Sequence, residues 1–389
     1  MDEAQRLKSF LEGKLPKFLQ DLEILVNIDS GTYDKAGVDV VGRWLHTRLE
    51  EIGCAVEVFP EKGYGDSILA SLAGEGEARM LLVGHMDTVF PAGTAVERPF
   101  RLEGNRAKGP GVSDMKGGIL AAFYALCALQ EIGFKDFAAL ELFLHGTEEI
   151  GSPAARAWLE AKARKVDAVL VLEAARANGD IVSARKGLGQ YTLTVKGRAA
   201  HAGVEPEKGR NAILELAHQV IALHALNGLS PGTTVNVGVV KGGIRPNVVP
   251  DFAQAQIDVR VVSLEGLAAI EKALAELTHK TTVPDVEVSL EGGMENPPME
   301  KAPATARLVE LAQRAAHELG FSLKDASTGG ASDANFTAAA GAPTLDGLGP
   351  VGGLDHSPEE YLEVESIVPR TALLARLVQL IASEGRRQK

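Results

Sequence analysis

The sequence predicts an α/β fold interrupted by a smaller α+β domain. Three observations predict it. Runs with helical and strand periodicity alternate along the first 185 residues. Three strand candidates, RMLLVG (79–84), ALELFL (139–144) and AVLVL (168–172), are nearly continuous apolar runs, as expected for interior strands covered on both faces. From about residue 186 the texture changes: QYTLTVKG (190–197) alternates apolar and polar residues, the pattern of a half-buried antiparallel strand.

The elements follow in order. Residues 5–27 and 36–52 carry apolar residues at helical spacing, and CAVEVFP, SILASLA and RMLLVG then read as strands. A helix over 116–132, the strand AALELFL, a helix over 153–164 and the strand AVLVLE complete the first part. After QYTLTVKG come a helix (211–226), the strands TVNVGVVKGG and FAQAQIDVRVV, a helix (264–278) and the strand DVEVSLEG. This β-α-β-β-α-β order is that of a ferredoxin-like unit. ENPP (295–298) reads as a hinge back, and helices over 303–319 and 366–383 flank a further buried strand, APTLD. The expected domains are 1–185 and 299–389, forming one α/β unit, with 186–298 inserted, about 110 residues and of ordinary domain size.

Composition bounds the function. Hydrophobic residues make up 45% of the 389, enough for a large core in a soluble globular protein. A net charge of −12 argues against a nucleic-acid partner, whose backbone would repel it. Cys54 and Cys127 form no disulfide framework, so a reducing, cytoplasmic setting is expected. The start, MDEAQRLKSFLEGKL, has no apolar signal core, and no apolar run reads as approaching the ~20 residues of a membrane span.

The segment LFLHGTEEIGS (142–152) places Glu148 beside Glu149, like charges that repel unless something separates or neutralises them. Alone, the pair reads as acids at a helix start. Its neighbours change that reading. RMLLVG is followed by His85 and Asp87, ALELFL by His145 and the two glutamates, and AVLVL by Glu173. In open α/β sheets ligands bind beyond the carboxyl ends of strands, so these residues share one rim. Asp114 lies on the glycine-rich loop GPGVSDMKGG before a helix, and His356 on a loop after APTLD. A lone His there is a satisfied polar residue and a lone Asp a helix cap. Imidazoles and carboxylates together suit zinc or another divalent metal. Two His and three acids are the right number for two metals sharing a bridging carboxylate, with a hydroxide between them.

The motifs GHMDTVFPAG, GPGVSDMKGG, HGTEEIGS, the Glu after AVLVL, GRAAHAG, RPNVVP, TGGASDANF and DHSPEEY occur in one order over nearly the whole chain. In this set the sequence resembles the zinc-dependent M20 metallopeptidases, in particular the glutamate carboxypeptidase (carboxypeptidase G2) type. The resemblance implies a mixed-sheet α/β/α zinc-exopeptidase domain with an inserted lid and dimerisation domain. It implies that His85, Asp114 and Glu173 hold one zinc ion and Asp114, Glu149 and His356 the other, with Asp114 as the bridge. Co or Mn are possible substitutes. Asp87 is then the carboxylate that orients His85, and Glu148 the unligated general base. One departure concerns Met115, where the family often carries a second acid.

For the insertion, the resemblance implies that His201 helps hold the oxyanion across a homodimer interface. Asn247, Arg260 and Gly330 match substrate-binding positions, the first two for a terminal carboxylate. Arg260 alone also reads as a partner for acids on the sheet surface, and His201 as a turn histidine. Two decoys fall away. GDSI (65–68) would need a later Asp and His three apart, as in a serine esterase, whereas Asp355 and His356 are adjacent, and GLGPVG (347–352) lacks the helix and ribose-binding acid of a dinucleotide site. The expected function is dizinc removal of a C-terminal, Glu-like residue from a small peptide or N-acyl amino acid. The alternatives are an N-acyl-amino-acid deacylase of the acetylornithine or succinyl-diaminopimelate type, and a non-catalytic binding protein.

Overall fold

The computed structural model describes residues 2–385, which form two compact units. One comprises the chain up to Ala184 with Lys301–Thr328 and the segment from Ser332 on; the other comprises Arg185–Glu300 with Gly329–Ala331. The insertion thus differs from the expected 186–298 by one residue at its start and two at its end, and it takes in 329–331. The strand Glu287–Asn296 instead runs through the start of the ENPP hinge, and the 329–331 strap packs with the insertion because Arg185 and Arg260 donate to its carbonyls.

In the first unit, six strands form a mixed sheet in the order Ala55–Phe59, Gly65–Ala73, Ala139–Gly146, Arg79–His85, Ala168–Val171 and Thr344–Leu345. The last four run parallel, so the strands that end at His85, Gly146 and Val171 deliver their following residues to one rim. Register reinforces this, since His85 lies directly opposite His145. Leu81, Leu82 and Val83 are buried, as are Ala168–Val171, because the sheet is covered on both faces. Helices Glu3–Val26, Gly117–Glu131 and Val364–Gly385 pack together around Leu22, Leu25, Phe123 and Leu377.

The absence of a membrane-length apolar run was misjudged. Val112–Glu131 and Val364–Glu384 are long and apolar enough by composition, but 89% and 78% of these windows are buried inside the protein. They are core helices, apolar on most sides because neighbours cover most sides.

The inserted unit is an antiparallel sheet in the order Thr234–Gly242, Phe252–Val261, Gly187–Lys196, Glu287–Asn296. Helices Ala212–His224 and Leu264–Thr278 cover one face, closing a core that contains Leu193, Val195, Leu216, Ile257 and Ile270. Both helices start on a side-chain cap, Asn211 accepting from the Leu214 amide and Ser263 from the Gly266 amide. A separate two-stranded arm pairs Ala200–His201 with Val248–Val249.

Candidate metal centre

Each rim residue is fixed by its own local device. His85 ends its strand almost fully buried. Its Nδ1 lies 3.0 Å from the Asp87 carbonyl oxygen and 3.4 Å from Asp87 Oδ1. The Asp87 carboxylate also accepts from Thr32 Oγ1 at 2.7 Å and from the amides of Glu148 and Glu149 at 3.2 and 3.3 Å. One buried acid thus ties the His85 ring to the paired-glutamate turn, Glu148–Ile150. Glu173 follows Leu172, whose carbonyl packs so tightly against Gly118 that an added Cβ would lie 2.0 Å from it. Glycine is therefore required there.

Asp114 sits on a loop whose amides point at a side chain that sequence reasoning missed. The Glu360 carboxylate, 1% exposed, accepts from the backbone N–H of Gly111, Ser113 and Asp114 at 3.0, 2.8 and 3.1 Å. The Asp114–Met115 peptide bond is cis. His356 reaches the Asp114 carboxylate from a loop where its own φ is 62°, a left-handed conformation uncommon outside glycine.

The donors converge on Asp114. Its Oδ1 lies 3.0 Å from His85 Nε2, which is 3.7 Å from Glu173 Oε1. Its Oδ2 lies 3.1 Å from His356 Nε2, which is 3.2 Å from Glu149 Oε2. One carboxylate therefore stands between two histidine–glutamate pairs. The ligand-type atoms of His85, Glu148 and Glu173 also lie within 4.8 Å of one another, as do those of His85, Asp114 and Glu149. Glu148 is thus inside the cluster rather than beside it.

Electrostatics follow from this crowding. Burial alone would raise the Asp114 carboxyl, but hydrogen bonds to His356 and His85 outweigh it and hold it well below the usual range. The same contacts with Asp114 and Glu149 lift His356 to about 11. Burial pushes Glu148 well above the ordinary carboxyl value; His85 opposes this, and Glu173, Asp333 and Glu149 add to it. Burial also raises Glu149. Its Oε1 is buried with no hydrogen-bond partner, a costly condition for a carboxylate oxygen. An orphaned acceptor amid imidazole nitrogens and carboxylate oxygens fits a divalent cation.

His145 shares the rim but not the cluster. It is fully buried, with Nε2 2.6 Å from Asp333 Oδ2, while Ser152 donates to Asp333 Oδ1 at 2.5 Å. Asp333, also missed, stands behind the glutamate turn; the SDAN run capping helix Asp333–Ala339 carried its only sequence signal.

In the inserted unit the candidates form two separate groups. His201 and Asn247 are neighbours on the two-stranded arm, where the Ala202 amide donates to the Asn247 carbonyl at 3.0 Å. Arg260 binds the Asp258 carboxylate through Nε and Nη2 at 3.0 to 3.2 Å and donates from Nη1 to the Gly329 carbonyl at 3.1 Å. This is the surface pairing held open for Arg260. The carbonyl of Gly330 accepts from Arg185 Nη1 at 3.0 Å.

The family model of peptidase family M20/M25/M40 matches residues 81–380. The chain belongs to that family. It is a metal-dependent hydrolase. Among its relatives, carboxypeptidase G2 of Pseudomonas sp. (strain RS-16) is 32% identical over 368 residues, spanning 93% of this chain and 89% of the relative. Acetylornithine deacetylase of Proteus mirabilis is 28% identical over 401 residues, spanning 94% and 97%. The crystal structure of aminopeptidase PepT from Bacillus cereus superposes with a TM-score of 0.80 at 25% identity, covering 95% of this chain and 99% of that one.

Proposed function

We propose that this hydrolase cleaves an amide bond to release a C-terminal, Glu-like residue from a small peptide or an N-acyl amino acid. The observation that carries the reading is the position of Asp114 between the His85–Glu173 and His356–Glu149 pairs, with Glu148 half-buried beside His85 and Glu173. The two sets are read as holding two zinc ions, for which Co or Mn can substitute. Such ions supply Lewis acidity toward the scissile carbonyl and an ionisable water near neutral pH.

The chain's own groups do the rest. The Glu148 carboxylate takes a proton from the attacking water and returns it to the leaving amine. Asp87 holds the His85 ring by its Nδ1 side and the glutamate turn by its amides, so both keep their orientation. His201, from the second subunit of a homodimer, donates to the oxyanion. Asn247 and Arg260, with the backbone at Gly330, hold the terminal carboxylate. Support for a dimer through the insertion comes from its edge strand Thr234–Gly242, with Val239 52% and Val240 61% exposed. The two unpaired thiols suit a reducing cytoplasm.

A second reading, N-acyl-amino-acid deacylation, is favoured by the likeness to acetylornithine deacetylase and uses the same chemistry. The test is a panel of dipeptides and N-acyl amino acids given to metal-depleted and zinc-restored protein. Zinc-dependent release of C-terminal Glu is expected. Cleavage of N-acetylornithine or N-succinyl-diaminopimelate alone would select the second reading. No metal-dependent hydrolysis of any panel member would sink both and leave a binding protein.

A further inference from the structure

One carboxylate grips the turn of Glu148 and Glu149 from both ends. His145 stands three residues before Glu148, and Ser152 three residues after Glu149. Asp333 Oδ2 lies 2.6 Å from His145 Nε2, and Asp333 Oδ1 accepts from the Ser152 hydroxyl at 2.5 Å. All three residues are buried. We propose that Asp333, acting through His145 and Ser152, is a positioning residue for the paired glutamates, holding Glu148 in place for proton transfer and Glu149 at its metal position. This rests on the amide-hydrolase reading above and adds three residues to it, none of them a metal ligand.

The backbone between the two grips closes on itself. The Ser152 amide donates to the Thr147 carbonyl and the Gly151 amide to the Glu148 carbonyl, both at 2.8 Å. The exit from the turn takes two left-handed residues in succession, Gly151 at φ 85° and Ser152 at φ 56°. The second carries a Cβ, which disfavours that conformation, and its hydroxyl is the one bound to Asp333.

The other end is equally fixed. The His145 ring stacks on Phe143, with centroids 5.8 Å apart, and Phe143 stacks on Trp158 at 3.9 Å. The Thr147 amide faces His145 Nδ1 at 3.4 Å, so Nε2 carries the proton that points at Asp333. Burial alone would raise the Asp333 carboxyl, but His145 and the Ser152 hydroxyl outweigh it and hold it below the usual range. Both of its oxygens therefore accept.

The two carboxylates behind the turn divide the work. Asp87 accepts from the amides of Glu148 and Glu149 and so holds the middle; Asp333 holds the ends. A reacting group misplaced by about 1 Å can cost about 100-fold in rate, so a turn free to rock would spoil both the base and the ligand.

The test deletes one grip at a time in the full chain. Ser152→Ala removes the hydroxyl. His145→Leu removes the imidazole, and His145→Gln returns a side-chain donor. Zinc affinity, measured by competition with a chelator, should fall about 10–100-fold in Ser152→Ala and His145→Leu. In both, kcat should fall by a similar factor of about 10–100, with KM changed by less than about threefold. His145→Gln should recover most of both losses. In a Glu148→Gln background, His145→Leu should lower kcat by less than about a further threefold, since it acts through a group already lost. A lower melting temperature of the metal-free protein with zinc affinity and kcat unchanged would make the three residues purely structural and overturn the proposal. Fully multiplicative losses in the Glu148→Gln background would overturn the positioning of Glu148. Should His145→Leu fail to fold, zinc affinity and kcat of Ser152→Ala decide alone. The base reading fails separately: a wild-type rate in Glu148→Gln sinks it, while the zinc affinity of Ser152→Ala still decides whether the turn is held.

Discussion

Around Asp114, buried carboxylates outnumber the imidazoles that face them, and one oxygen of Glu149 has no partner at all. Around Arg260, a single guanidinium meets a single carboxylate at the surface, with side chains 30% and 39% exposed. The difference teaches which charges ask for something more. Excess negative charge in a low-dielectric rim is unfavourable until a cation joins it. A surface pair such as Arg260–Asp258 is already complete and worth only about 0–1 kcal/mol. The rim therefore argues for its ligand by its own imbalance. The insertion argues for a carboxylate only through motif position, and Arg260 must share or leave Asp258 to bind one.

The largest effect should come from the rim. Glu148→Gln should keep its metal content and lose about 10²–10⁴-fold in kcat. A near-normal rate with full metal would remove Glu148 from proton transfer and weaken the contrast drawn here. Arg260→Ala tests the other region: KM for substrates with a free C-terminal carboxylate should rise by about 10–100-fold with kcat little changed. If KM stays the same, Arg260 serves only Asp258 and Gly329.

Glu360→Gln sharpens the rim further. The amide would turn a donor toward the three N–H groups that the carboxylate now accepts. Metal affinity, measured by competition with a chelator, should fall about 10–100-fold with an unchanged circular dichroism spectrum. Unchanged affinity would mean the Asp114 loop holds itself.

The smallest effect concerns groups away from both regions. Burial pushes the Cys54 thiol up to about 12 and that of Cys127 up to about 11, from a usual 9. The unfolded chain therefore releases these protons first. Their contribution to stability is complete below pH 9 and is lost as pH rises through the folded values. Native protein should also react slowly with a thiol reagent at pH 8, and rapidly once unfolded. Equal rates before and after unfolding would contradict the burial of Cys54 and the half-burial of Cys127.

Part of the rim was legible because three of its candidate residues follow apolar runs that must be interior strands. His85 and Glu173 stand at such ends, and Glu149 lies just beyond one. The interior strands of the first unit and the β-α-β-β-α-β order of the insertion were readable through periodicity, whereas the mixed sheet was implied only by the family resemblance. Glu360 was not, because it is one acid in a surface-like PEE run whose amide partners lie 246 to 249 residues away. The small sheet of Arg101–Glu103, Arg106–Lys108, Gly352–Gly353 and Tyr361–Glu363 escaped as well, since two- and three-residue strands are too short to show a period. Gly329–Ala331 joins the insertion through backbone carbonyls, which no side-chain pattern records.

The central claim is that Asp114 joins two metal positions. It is tested most directly by elemental analysis of purified Asp114→Ala protein beside the wild type after equal exposure to zinc. The wild type should carry two ions per chain and the variant close to none, because each position loses an oxygen it shares with the other. One ion retained at full occupancy in the variant would contradict the bridge.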